Sequence, residues 1–252
     1  MYHAVMSIQS ERDWRGMRQV GRVVALTLEM LGRGLCAGCT TGELDARAAA
    51  FIAAHGARSA PARTYGFPGT VLISINDEIV HGVPGARPLR SGDLVKLDVT
   101  LEKDGYVADA ARTVVVGEGG ETAVRLTACA ERAFRRAVRV ARAGALVRDV
   151  GAAIEKEVGR GGFAVVRELG GHGVGREIHE APFMANYSDP RQRDRLTEGL
   201  VVAIEPIITA GSPATVTDAD GWTIRTRDGS LAAHYEHTVV ITKDRPILLT
   251  AA

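Results

Sequence analysis

Between residues 11 and 31 the apolar side chains Met17, Val20, Val24, Leu28 and Leu31 recur every three or four positions, which lays one apolar stripe along a helix. Gly32 and Gly34 mark its expected end. A second helix is predicted from Thr41 to Gly56, with Glu43 in its first turn and Leu44, Ala48, Phe51 and Ile52 along it. The pattern then changes. Residues 71–75 form a short apolar, partly β-branched run that reads as a strand, and turns follow at Asn76-Asp77 and at His81-Gly-Val-Pro-Gly85. Residues 94–101 alternate around Asp98, and a turn at Gly105-Tyr106 returns the chain into a strand over 107–116. Helical periodicity comes back over 121–143 and 148–158, and strand-like runs follow at 163–167, 200–209 and 237–242.

The order helix, helix, strands therefore occurs twice. Leu89-Arg-Ser-Gly92-Asp-Leu-Val-Lys-Leu-Asp98 aligns at one offset with Leu196-Thr-Glu-Gly199-Leu-Val-Val-Ala-Ile-Glu205, and Leu44, Ile52 and Gly56 align with Val150, Val158 and Gly162. Such an order can recur by chance. A carboxylate ending the same type of strand in each half argues instead for a duplication. The fold class expected is α/β (α+β), two pseudosymmetric halves at about 12–118 and 121–250 around a central antiparallel sheet. No linker separates them, so 1–252 is expected to be one domain, with Asp98 and Glu205 brought to one central site.

Composition narrows the function. Of 252 residues 46% are hydrophobic, enough for a sizeable core, and 31 basic against 30 acidic residues leave no strong field for nucleic acid or membranes. No apolar run approaches the ~18 residues of a membrane span. Residues 1–14 lack the apolar core of a leader peptide, so a cytoplasmic protein is expected. Three cysteines do not suggest a disulfide framework. Cys36-Ala-Gly-Cys39 lacks a second pair or a thioredoxin-like context, and is read as two free thiols at a helix end.

The chemistry lies in the carboxylates and histidines. Asp98 interrupts an otherwise buried strand, where a carboxylate is expensive unless paired or metal-bound. An exposed position on an edge strand, with Lys96 on the same face, is the alternative. Asp109 returns towards Asp98 across the hairpin, and two carboxylates meeting there repel without a cation. Glu205 ends an apolar strand before Pro206, and Glu236 precedes another, with His237 pointing to the opposite face. Gly171-His-Gly-Val-Gly175 lets a backbone approach closely. No helix follows it, so it is not a dinucleotide loop. Asp98, Asp109, His172, Glu205 and Glu236 thus form a set of ligands at strand ends or turns, one imidazole among oxygens, suited to first-row divalent metals. His81 and His179 remain for proton transfer, as in a two-metal hydrolase. There is no G-x-S-x-G elbow and no P-loop.

Over about residues 12–250 the chain resembles the bacterial type I methionine aminopeptidases. The resemblance rests on Ser74-Ile-Asn-Asp-Glu-Ile-Val-His-Gly-Val-Pro84, Leu97-Asp-Val99 with Asp109, Gly171-His-Gly-Val-Gly175 with His179, Ile204-Glu-Pro206, Asp220 to Thr226 around Trp222, and Tyr235-Glu-His-Thr238. It implies the duplicated pita-bread fold and two divalent ions (cobalt, manganese, iron, zinc or nickel). Asp98 would bind one ion, Asp109 and Glu236 both, and His172 and Glu205 the second. Glu205 would also move a proton from the attacking water. His179 would steady the oxyanion, and His81 would face the substrate amine and the leaving nitrogen. Phe67, Leu72, Ile178 and Trp222 would hold the methionine side chain. Leu72 and Ile178 replace a cysteine and a phenylalanine common in the family, Pro61 to Thr64 replaces an aromatic-rich stretch, and Lys96 stands where asparagine is frequent. The implied substrate is the N-terminal methionine of nascent polypeptides near the ribosome, cleaved when the second residue is small by a monomer that contacts neither nucleic acid nor membrane. A pita-bread Xaa-Pro peptidase and a non-catalytic pita-bread peptide-binding module are the competing readings.

Overall fold

Among residues 7–251, which the computed structural model describes, the chain forms five helices and fifteen strands. Residues 1–6 of the stretch read as lacking a leader lie outside them. In chain order the elements of the first half are α1 (Glu11–Gly34), α2 (Thr41–Ala54), β1 (Arg58–Ser59), α3 (Ala60–Tyr65), β2 (Leu72–Ile75), β3 (Glu78–Val80), β4 (Leu94–Lys103) and β5 (Tyr106–Val115). There follow α4 (Glu121–Val140), α5 (Val147–Arg160), β6 (Ala164–Val165), β7 (Gly170–Gly173), β8 (Glu180–Ala185), β9 (Val201–Ile204) and β10 (Ile207–Thr209). The last are β11 (Thr215–Thr217), β12 (Ile224–Thr226), β13 (Ala232–His234), β14 (His237–Val240) and β15 (Ile247–Leu248).

α1 begins where the Ser10 hydroxyl accepts the Asp13 amide, and α2 where Thr40 and Glu43 form a reciprocal capping box. The stripe Met17, Val20, Val24, Leu28 and Leu31 is buried. α1 continues to Gly34 through both glycines expected to end it. A helical glycine costs only about 1 kcal/mol, less than the ~1.5–3 kcal/mol of each apolar side chain that the packed helix buries. α3 was not predicted. Six residues with Pro61 in the first turn carry no periodicity, and the Ser59 hydroxyl, accepting the Ala62 amide, starts the helix.

β4 is the axis of the first sheet. It pairs along its length with β5 on one edge, and with β2 and β1 on the other. An edge position for Lys96 and Asp98 is thereby excluded. Lys96 is 1% exposed, its ammonium donates to the Asn76 carbonyl at 2.7 Å, and burial pulls its pKa down to about 7.

The second sheet runs β15-β14-β9-β7-β8. The strand expected over 200–209 is broken at Glu205-Pro206: β9 pairs with β14 and β7, whereas β10 pairs with β13 and β6. Proline has no amide to continue a ladder, so the chain changes sheets there. The strand expected over 163–167 shrinks to β6 for want of a longer partner.

Each helix pair covers its own sheet. One core joins Met17 and Leu44 to Leu97 and Val99, and the other joins Phe134 and Ile154 to Val202 and Val239. Cys36 and Cys39 are not free thiols as expected but form a disulfide. The turn in which the Cys39 amide donates to the Cys36 carbonyl brings their Cα atoms to 5.6 Å, within the span of that bond.

Candidate metal centre

The two sheets meet where Ala111 and Glu236 exchange backbone hydrogen bonds of 2.8 and 3.3 Å. Beside them the Asp109 amide donates to the Thr238 hydroxyl at 2.9 Å, and that hydroxyl donates to the Asp109 carbonyl at 2.7 Å. This seam carries the carboxylates. Asp98 lies opposite Ala111 and Thr100 opposite Asp109, so the two aspartates are diagonal neighbours on one face of β4 and β5. They sit in mid-strand, not at the strand ends or turns expected. Glu205 follows β9 and Glu236 precedes β14, and the pairing of Ile204 with His237 sets these glutamates side by side. His172 was placed in a glycine loop, but belongs to strand β7, between β8 and β9. Gly171 and Gly173 make this possible. A Cβ on them would stand 2.4 Å from the Ala203 carbonyl oxygen and 2.2 Å from that of Ala181.

All five of these residues line one cavity of about 150 Å³, together with His81, His179, Phe67, Leu72, Ile178 and Trp222. His81 leaves β3 with φ 61°, a left-handed conformation that costs a non-glycine residue ~1–3 kcal/mol and occurs at functional sites. Trp222 arrives on the β11–β12 hairpin, where Asp220 accepts its amide at 2.8 Å, and meets the Phe67 ring edge-on at 5.3 Å. Arg225 ties that hairpin to β3 through Asp77 and Glu78. His237 points away from the cavity, to Thr250 and Tyr235, as strand alternation implied.

The sequence reading did not single out Tyr65 or His234, which also line the cavity. Tyr65, on the unpredicted α3, places its hydroxyl 2.7 Å from His179 Nδ1. No local pattern announces a contact across 114 positions. His234 is buried among the carboxylates, and here a signal existed: it stands two residues before Glu236, the spacing that returns a strand to the same face. A second imidazole thus stands among the carboxylates, beside that of His172.

Burial, and after it the charge of Asp109, pushes the carboxyls of Asp98, Glu205 and Glu236 well above the ordinary range. Asp109 is itself raised by burial, against hydrogen bonds with Thr100 and Asp98. Burial lowers His172 to about 3 and His81 and His234 to about 4, and it also lowers His179, so these rings are neutral at pH 7. His172 donates from Nδ1 to the Gly173 carbonyl at 2.9 Å, which leaves its Nε2 lone pair to face Glu205 Oε1 at 3.5 Å.

Asp98 Oδ1, Asp109 Oδ1, Glu236 Oε1 and both nitrogens of His234 have no hydrogen-bond partner among the described residues. Four clustered carboxylates, three of them with an orphaned oxygen, call for positive charge. Two trios, Asp98–His234–Glu236 and Asp109–His172–Glu236, bring their donor atoms within 4.8 Å of one another and share Glu236. This mixture of oxygens and neutral imidazoles fits first-row divalent ions.

Because three carboxyls hold protons above their usual range, an ion that binds there has to expel them. Each holds its proton to higher pH without the ion than with it, so affinity rises with pH through the range in which they titrate. The imidazoles, already neutral at pH 7, release nothing there. Titration of the metal-free protein with Mn²⁺ in buffers of different ionisation enthalpy is expected to report net proton release at pH 7 and weaker binding at pH 6. An affinity unchanged between the two would contradict this account of the site.

The sequence profile of Metallopeptidase family M24 matches residues 15–243. The Bacillus subtilis protein named methionine aminopeptidase 2 is 41% identical over 247 residues, 97% of this chain and 99% of the relative. The crystal structure of methionine aminopeptidase from Rickettsia prowazekii superposes with a TM-score of 0.94 at 36% identity, covering 98% of this chain and 100% of that one. The methionine aminopeptidase from Thermotoga maritima also gives 0.94, at 32% identity, with all of both chains covered.

Proposed function

The chain belongs to metallopeptidase family M24 and, within it, to the methionine aminopeptidases, and we propose that it removes the initiator methionine from nascent polypeptides whose second residue is small. It has the pita-bread fold of that family and is a metal-dependent exopeptidase. The observation that carries the reading is one cavity in which four carboxylates and neutral imidazoles face an apolar wall. We take the chain as one catalytic domain of two duplicated halves, acting as a cytoplasmic monomer near the ribosome. Among the described residues no helix is long and apolar enough to cross a membrane.

In this proposal Asp98 would hold one divalent ion, His172 and Glu205 would hold a second, and Asp109 and Glu236 would serve both. When bound, such ions supply a Lewis acid for the scissile carbonyl and lower the pKa of the attacking water. The protein does the rest. Glu205, ionised once the ion has displaced its proton, takes a proton from the water and passes it towards the leaving amine. His179 donates to the oxygen of the scissile carbonyl as negative charge develops there. In this reading the Tyr65 hydroxyl donates to Nδ1, 2.7 Å away, and Nε2–H is left for that task. His81, neutral and held by its backbone, receives the substrate amine and the leaving nitrogen. Phe67, Leu72, Ile178 and Trp222 enclose the methionine side chain, whose thioether makes favourable contacts with the two aromatic rings.

Burying a methionine side chain is worth ~1.5–3 kcal/mol, so N-terminal methionine is expected over alanine by ~10–200-fold in kcat/KM. His81 and His179 flank the second residue, so Met-Ala and Met-Gly peptides should be cut and Met-Lys and Met-Leu peptides poorly. Hydrolysis of Met-Ala-Ser against Ala-Pro-Ala, with metal titrated into metal-free enzyme, tests the function. A panel of Met-Xaa-Ser peptides tests the second position. Faster cleavage of Ala-Pro-Ala, or equal rates for alanine and leucine after methionine, would move the chain to the Xaa-Pro peptidases.

A further inference from the structure

His234 has no part in the chemistry above, yet it is 2% exposed and stands inside the carboxylate cluster. Its Nε2 lies 3.4 Å from Glu205 Oε2 and 3.5 Å from Glu236 Oε2. Among the described residues neither ring nitrogen has a hydrogen-bond partner. Leaving a buried polar group unsatisfied is costly, and a merely packed side chain would avoid it.

The spacing is informative. Charge-assisted N–H···O bonds run at ~2.7–2.9 Å, so His234 is too far for one and equally far from two carboxylates. Donors ~2.1 Å from one ion lie ~3.4 Å apart when the ion is four-coordinate, and the 3.5 Å to Glu236 Oε2 has that spacing. His172 Nε2 keeps the same separation, 3.5 Å, from the other oxygen of Glu205. The Glu205 carboxylate is therefore flanked by an imidazole on each side. The position of His234 is also built in. Its amide donates to the Thr113 hydroxyl at 2.8 Å, and that hydroxyl donates to its carbonyl at 2.8 Å, which clamps it to β5, the strand of Asp109. On its other side it pairs with Ile207 of β10.

We infer that His234 is a metal ligand, joining Asp98 and Glu236 on one ion as His172 joins Asp109 and Glu236 on the other. The inference rests on the two-metal reading proposed above and extends it: each ion receives one imidazole and neither site is all oxygen. A nitrogen donor on both ions favours cobalt, iron, nickel or zinc over magnesium at each position.

Proton NMR of the enzyme loaded with two equivalents of Co²⁺ counts such ligands directly, because the exchangeable ring N–H of a bound imidazole is strongly shifted by the paramagnetic ion. Two shifted signals that vanish in D₂O are expected in the wild type, and one in both His234→Gln and His172→Ala. Calorimetry of His234→Ala should show one of the two binding steps weakened by at least ~10–100-fold, the cost of losing even an outer partner of a metal ligand. If that variant does not fold, the wild-type count and His234→Gln, which keeps a polar side chain there, decide. A single shifted signal in the wild type, or two that survive His234→Gln, overturns the assignment while leaving the dinuclear centre in place. A protein that binds no divalent ion overturns it together with the function on which it rests.

Discussion

Asp109→Asn is expected to abolish peptide hydrolysis and at the same time to stabilise the metal-free protein. Asp109 is a proposed shared ligand beside the seam of the two sheets. The ions it helps hold supply several kcal/mol of transition-state stabilisation, and each 1.36 kcal/mol is a factor of ten, so kcat/KM should fall by at least ~10³-fold. Stability should move the other way. After burial, the charge of Asp109 is the next largest cause raising Asp98, Glu205 and Glu236. Groups whose folded pKa is raised contribute stability at low pH and lose it as pH rises through the folded value. The metal-free wild type is therefore penalised as pH rises, and the asparagine relieves part of that penalty. Thermal melting in chelator, with turnover measured over a Mn²⁺ or Co²⁺ series, reads both effects. Wild-type turnover at low metal would remove Asp109 from the centre.

His179→Ala should lower kcat by about 10²–10³-fold, the usual loss for one oxyanion donor, with the metal content unchanged. Its ring lies 4.4 Å from that of His172, close enough to the centre for the two roles to be confused. Calorimetry separates them: an ion lost along with the imidazole would make His179 a ligand. Tyr65→Phe removes the hydroxyl that meets Nδ1. One neutral hydrogen bond is worth ~0.5–1.5 kcal/mol, so a loss of ~2–10-fold is expected, carried by kcat and not by KM. Loss of the same size in both variants would mean that the tyrosine supports the fold of the wall and not the orientation of the ring.

The helices and most strands were legible in the sequence because burial imposes a period on each. The stripe from Met17 to Leu31 has the spacing of a helix, and the run around Asp98 that of a strand. The repeat ending in Asp98 and Glu205, with Asp109, His172 and Glu236, was legible because charge in an apolar strand is costly and so conspicuous. Those five, with His81 and His179, do line one cavity. What local pattern could not supply was anything set by partners remote in the chain. Lys96 is interior because β4 is flanked on both edges, which no residue of β4 announces. The break at Pro206 matters only because β9 and β10 find different sheets. Tyr65 reaches His179 across 114 positions on a helix too short to show a period. His234 lies on the same face as Glu236, but only the meeting of the two sheets puts its ring between Glu205 and Glu236. Periodicity encodes which side of an element is buried, whereas the identity of what it is buried against comes from register and sheet assembly, and these are properties of the folded chain as a whole.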